Sequence, residues 1–245
     1  MSNFLAVAFD SVRRSALDAA RLALPQRCEL CAGHSGTDLV CRACMCGLPR
    51  IEAACPVCAL PAPDGATCGR CLAHPPPFDA TTSAYAYEFP VDRLVQAFKY
   101  QGRLALAGWC AEAIVAARMR VSAPAPAHVV AMPLAATRQR ERGFNQAMEI
   151  ARAVATRMGA TLIDAGVRRT RATAPQAALP WEERTTNIRD AFACSIDLAG
   201  MNIAVVDDVM TTGATLAEFA RTLKAAGAAR VENWVVARTP PPNPR

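Results

Sequence analysis

Residues 203–215 read Ile203-Ala204-Val205-Val206-Asp207-Asp208-Val209-Met210-Thr211-Thr212-Gly213-Ala214-Thr215, and no other stretch of the chain constrains fold and chemistry so tightly. The apolar, mostly β-branched run at 203–206 suits a buried parallel strand. Its C-terminal end should open on the crevice where open α/β sheets take their ligands. Two adjacent carboxylates follow, and then a small, hydroxyl-rich loop that begins an apolar-periodic helix. Such a loop offers hydroxyls, backbone N–H groups and a helix N-terminus, which together suit a phosphate. Carboxylates beside a phosphate cradle would repel it unless they accept hydrogen bonds from sugar hydroxyls or hold a cation that screens the charge. A double acid can also be a solvated turn before a helix cap. The hydroxyl-rich loop at this distance argues instead for a phosphorylated sugar.

Around this core the pattern alternates strand and helix. Strands are expected at Ala84–Phe89, His128–Met132 and Val231–Ala237, and helices at Val91–Lys99, Arg103–Arg120, Phe144–Met158 and Ala214–Ala226. That alternation predicts a mostly parallel α/β sheet flanked by helices. The strand at 128–132 runs through Pro133-Leu134 into an arginine-rich loop. Arg138 and Arg142 there are candidate guanidinium donors for a diphosphate, although a solvated basic loop has the same composition. Lys99 is either a phosphate contact or the exposed end of its helix. Residues 169–187 contain Pro175 and Pro180 and are too long for an idle connection in a compact domain.

Nine of the eleven cysteines lie between Cys28 and Cys71, and eight form four C-x-x-C pairs. The spacing C-x2-C-x9-C-x2-C occurs twice, offset by 27 residues, which is an internal repeat. Two such knuckles complete a closed four-thiolate zinc site, so two structural Zn²⁺ ions are expected. Sequential pairing (Cys28, Cys31, Cys41, Cys44, then Cys55, Cys58, Cys68, Cys71) follows from the repeat; interleaved pairing, or substitution by Cys46, His34 or His74, stays open. Cys110 and Cys194 read as ordinary buried thiols. The repeat carries no Phe, Tyr or Trp on which bases could stack. Its side chains sum to −1, and four thiolates around each zinc bring the span to about −5. It should not be drawn to a phosphate backbone, and a structural or protein-docking role fits better.

The chain has 245 residues, 52% of them apolar but only 6% aromatic, enough for one α/β domain and a small appendage. A formal charge of +6 is too modest to imply nucleic acid. No apolar run is long enough to span a membrane. Residues 1–25 have the spacing of an amphipathic helix, and Asp10, Arg13, Arg14, Asp18 and Arg21 spoil a signal-peptide core. A reducing, cytoplasmic setting is therefore expected. The boundaries read as a helix over 1–25, a double ribbon over 26–74, an α/β domain over 79–238 and a disordered tail over 239–245.

The strand, double acid and Thr-Thr-Gly-x-Thr loop resemble the phosphoribosyl-diphosphate (PRPP) motif of type I phosphoribosyltransferases. With Phe98-Lys99-Tyr100, Arg142-Gly143-Phe144-Asn145-Gln146, the segment from Arg169 to Phe192 and the paired cysteines, the chain is similar to the ComF family, which includes GntX-type proteins. The resemblance implies a type I phosphoribosyltransferase fold preceded by a small double zinc-ribbon domain. It implies Mg²⁺-PRPP binding, with Thr211, Thr212, Gly213, Ala214 and Thr215 on the 5′-phosphate and Asp207 and Asp208 on the ribose. Pro133, Leu134, Arg138 and Lys99 would meet the phosphates, with Arg142 joining the acids as catalytic. Arg171, Gln176, Arg184 and Asn187 would belong to a closing flap. The implied activity is phosphoribosyl transfer to an unidentified nitrogen acceptor, tied to natural competence and to protein partners that process incoming single-stranded DNA. A GntX-like member would instead serve nutrient metabolism. The alternative is a non-catalytic PRPP-binding adaptor that docks partners through its ribbons.

Overall fold

The computed structural model describes residues 26–170 and 188–240. The expected N-terminal helix, the flap residues Arg171, Gln176, Arg184 and Asn187, and the tail from 241 lie outside the described residues. The chain divides into two compact units, residues 1–48 and 49–245, so the division falls between the two cysteine repeats.

The first unit holds strands β1 (Gln26–Arg27) and β2 (His34–Gly36), which pair antiparallel, and helix α1 (Arg42–Cys46). The second begins with the other knuckle and helix α2 (Gly69–Ala73). Its main body comprises β3 (Ala80–Ala86), α3 (Val91–Tyr100), α4 (Leu106–Arg118), β4 (His128–Ala131), α5 (Ala136–Arg142), α6 (Gln146–Met158) and β5 (Thr161–Ile163). The short β6 (Val167–Arg169) and β7 (Phe192–Cys194) form an antiparallel pair, and β8 (Asn202–Met210), α7 (Ala214–Ala225) and β9 (Arg230–Arg238) complete the body.

Five strands form one sheet in the order β3-β9-β8-β4-β5, with every neighbour parallel. This is the expected α/β architecture. Ile203 to Val206 and Trp234 to Ala237 are consecutive residues with no exposure at all, so both faces of the central strands are covered. Helix α4 packs on α6, β3 and β9, α6 packs on β4 and β8, and α7 packs on β9 and β7. Tyr85 of β3 stacks on Trp109 of α4 with centroids 5.7 Å apart. Among the described residues no helix is long and apolar enough to cross a membrane.

Three local expectations differ from what forms. β3 covers Ala80–Ala86 rather than 84–89, because its upstream residues find partners on β9 from Glu232 onward. β8 does not stop at the acids: it continues to Met210, held by pairing with β9 as far as Arg238. The arginine-rich segment is not a loop but the helix α5, built from good helix formers and stopped by Gly143 at φ 78°.

Candidate functional site

The acids Asp207 and Asp208 stand near the C-terminal end of the central strand β8, where an open parallel sheet exposes its crevice. Beyond Met210 the chain turns into α7 through Gly213 at φ 84°. A side chain at that glycine would be strained by its backbone and would also place its Cβ 2.6 Å from Met210 Cε. Thr212 Oγ1 accepts a hydrogen bond from the Ala214 amide at 3.1 Å, which closes the turn. The first-turn amides of a helix have no partners within it, so the start of α7 supplies donors beside the acids.

The neighbouring strand β4 contributes the second wall. Met132 donates its amide to the Val206 carbonyl at 2.9 Å, which places Pro133 and Leu134 beside the acids. Asn145 anchors the same turn twice. Its side chain donates to the Met132 carbonyl at 3.1 Å, and it accepts from the Ala147 amide at 3.1 Å as the cap of α6.

These walls enclose a cavity of about 610 Å³. Of the residues expected there, Asp207, Asp208, Thr211, Gly213, Thr215, Pro133, Leu134, Arg138, Arg142 and Lys99 line it; Thr212 and Ala214 do not, and act in the turn that shapes it. Sequence reasoning did not place Tyr87, Tyr100, Asn145, Gln146 or Arg169 in the site, yet all five line it. For Asn145 the signal was present, since an Asn just before an apolar-periodic run reads as a helix cap.

Charge within the crevice is finely opposed. Lys99, near the end of α3, pairs with Asp208 at 2.8 Å. Burial works against the lysine's charge, but the charge and hydrogen bond of Asp208, joined by Asp207, together raise the Lys99 pKa. Asp207 is pushed up to about 7, first by burial and then by repulsion from Asp208, with Lys99 only partly offsetting both. Arg169 is lowered by burial and then by the nearby Arg138. Arg142 lies over the Tyr100 ring at 5.0 Å and donates to Gln146 Oε1 at 3.1 Å. Among the described residues the buried Gln146 Nε2 has no partner. The site thus sets carboxylate oxygens and guanidinium groups around one cavity. The repulsion from Asp208 that adds to burial in the Asp207 shift is what a hard dication would relieve, and the two carboxylates offer oxygen ligands of the kind Mg²⁺ takes when part of its shell comes from a bound ligand.

The cysteines gather in the sequential pairing. The sulfurs of Cys28, Cys31, Cys41 and Cys44 lie within 4.8 Å of one another, as do those of Cys55, Cys58, Cys68 and Cys71. Cys31 and Cys41 sulfurs are 3.8 Å apart, and Cys58 and Cys68 sulfurs 3.7 Å apart. A tetrahedron of thiolates at about 2.3 Å from zinc has edges of about 3.8 Å, so both tetrads fit the ion. The repeat is exact in its hydrogen bonds: the Cys41 amide donates to Cys28 Sγ at 3.3 Å, and the Cys68 amide to Cys55 Sγ at 3.4 Å. Cys46 and His34 stay outside both tetrads. Cys110 is buried as expected, whereas Cys194 is only partly so.

A parallel sheet with this crevice, joined to two cysteine tetrads, defines a phosphoribosyltransferase-type domain carrying a double zinc ribbon. Residues 142–242 match the phosphoribosyl transferase domain family, and residues 19–72 match the double zinc ribbon domain family. The DNA utilization protein YhgH of Salmonella typhi is 35% identical over 228 residues, covering 89% of this chain and 99% of that protein. Its counterpart in Salmonella typhimurium is 34% identical over the same length and coverage. Competence protein F of Haemophilus influenzae is 29% identical over 178 residues, 70% of this chain and 78% of that protein. The chain belongs to the ComF family.

Proposed function

We propose that the crevice binds Mg²⁺-PRPP and transfers its phosphoribosyl group to a nitrogen acceptor. The observation that carries this reading is the single cavity shared by the acid pair, the start of α7 and the guanidinium groups of Arg138 and Arg142. Thr211 and Thr215, with the first-turn amides of α7 that follow Ala214, receive the 5′-phosphate. Asp207 and Asp208 accept hydrogen bonds from the ribose hydroxyls and set negative charge beside the ring as it gains oxocarbenium character. Pro133 and Leu134 present backbone to the diphosphate, and Arg138, Arg142 and Lys99 stabilise the charge that departs with it. The carboxylates and the diphosphate would together hold Mg²⁺, which neutralises the leaving group. The acceptor nitrogen forms its bond to C1 as the C1–O bond to pyrophosphate breaks, with inversion. Most of the rate then comes from holding both reactants in line rather than from covalent help.

The names of the relatives, DNA utilization protein and competence protein, favour a role in handling DNA; the cytoplasmic setting and the protein partners met by the ribbons are part of the same proposal. They also keep a second reading in play, in which the same pocket senses PRPP without turnover. The deciding experiment measures PRPP binding by calorimetry and pyrophosphate release across nitrogen acceptors, with and without Mg²⁺. Release with any acceptor supports the transferase, and tight binding without release supports the sensor. Replacing Asp207 and Asp208 together by Asn should abolish both binding and turnover while leaving the fold intact. Unchanged Mg²⁺-PRPP binding in that variant sinks both readings.

A further inference from the structure

Arg238 closes β9 and is only 2% exposed, an unusual place for a guanidinium group. Its Nε donates to the carbonyl of Cys58 at 2.8 Å, and Cys58 is a member of the second zinc tetrad. Its Nη1 donates to the carbonyls of Met210 at 3.0 Å, Thr239 at 2.9 Å and Thr211. Met210 and Thr211 are the last residue of β8 and the first of the loop that shapes the crevice. One buried side chain therefore touches the metal knuckle at one end and the base of the phosphate loop at the other.

The knuckle presents that carbonyl only while it is wound. The Ala59 amide bonds back to Cys55, the Cys55 amide bonds to Leu60, and Ala59 sits at φ 56°. Four thiolates around zinc hold such a turn, and the small apolar cluster of Cys55, Cys58, Ala62 and Cys71 is too slight to do so alone. Two further bonds seat the knuckle on the sheet edge: Thr81 donates to the Pro56 carbonyl at 2.9 Å, and Ala86 to the Pro49 carbonyl at 2.8 Å. Charge is complementary as well, since a four-thiolate zinc carries a formal −2 beside the buried cation.

We propose that Arg238 is a positioning residue: it couples the second zinc knuckle to the placement of residues 210–213, so that metal at Cys55, Cys58, Cys68 and Cys71 keeps the crevice ready for a phosphate. The coupling is reciprocal by linkage, so order in the loop also strengthens metal binding at that site; a stabilised metal complex is expected to lose its ion more slowly. This inference rests on the crevice reading above for its benefit to PRPP, but not for its structural readouts.

The test uses the full zinc-loaded chain and Arg238→Met, with Arg238→Lys as the milder variant should the first not fold. Hydrogen exchange followed by mass spectrometry should show amides at 209–216 opening about tenfold faster, with β4 and α6 unchanged. Zinc released to a chromogenic chelator should keep one phase of wild-type rate and show one accelerated phase. Saturating PRPP should slow that second phase in the wild type and leave it unaffected in the variant. Exchange at 209–216 equal to wild type in a folded variant overturns the proposal, as does a loss of protection spread evenly over the sheet. If the wild type binds no PRPP, the proposed ligand fails, while the exchange and zinc-release results still decide the role of Arg238.

Discussion

The two zinc ribbons are the same 27-residue design used in two different ways. Both wind their knuckles through a left-handed alanine, Ala32 in the first and Ala59 in the second, and both accept the same amide-to-sulfur hydrogen bond. In the first, Cys28 alone of the four ligands is buried; in the second, Cys55, Cys58 and Cys71 are. The first lies in its own compact unit, whereas the second belongs to the unit that contains the sheet and gives its backbone carbonyls to β3 and to Arg238. Repetition therefore sets the local geometry of a metal site, but embedding decides what the metal stabilises. An ion in the first tetrad would order a small module, whereas one in the second would also lie beside the knuckle whose Cys58 carbonyl meets Arg238.

The comparison is broken most directly by removing one site at a time. Replacing Cys55 and Cys58 by Ser should lower the main melting transition by roughly 10 °C or more, since losing a structural zinc costs several kcal/mol. Replacing Cys28 and Cys31 by Ser should move it by no more than about 2 °C. Equal shifts in calorimetry would show that the two ribbons are energetically alike. A second measurement needs no mutation. Challenged with chelator, the chain should release one zinc about tenfold faster than the other, and mass spectrometry of alkylated thiols should assign the early loss to Cys31 and its partners.

A smaller effect enters from the crevice side. Gly213→Ala forces a side chain onto a left-handed residue and against Met210 Cε, at a cost of about 1–3 kcal/mol. Melting should fall by several degrees, and only the slower zinc should be released faster. A further test is pH. Asp207 is raised to about 7, so between the ordinary carboxylate range and pH 7 the folded chain keeps a proton that the unfolded chain has lost. This group's contribution to stability is therefore present at low pH, declines as pH rises through that window and is flat above about 7. Asp207→Asn should flatten that part of the stability profile in the main transition and leave the slower zinc release unchanged.

What could be read from the chain divides along physical lines. The double acid with its loop, the parallel sheet and the eight cysteines are local patterns, and spacing alone carries them. The sequential cysteine pairing becomes certain only where the sulfurs gather, which excludes both interleaving and substitution by Cys46, His34 or His74. Lys99 was ambiguous because its meaning depends on Asp208, which a helix and a distant strand bring together. Tyr100 and Arg142 likewise become informative only as a stacked pair. Arg238 was invisible: at the end of an apolar run before a Pro-rich tail, an arginine looks like the solvated end of a strand. Nothing in its neighbours announces that a zinc knuckle covers it. The helix α5 was missed for a different reason, since arginines that follow a strand end read as a basic loop while their backbone preference is helical.

The ion pair between Lys99 and Asp208 has a kinetic consequence. An acid pair already answered by a lysine, with its other member raised to about pH 7, is a poor resting place for a free dication. A metal that arrives already chelated by a diphosphate brings its own oxygens and gives the lysine a second anion to turn toward. On the function proposed above, the order of arrival would thereby be set: the salt of the ligand would come in as one piece, and the bare ion would wait in solvent.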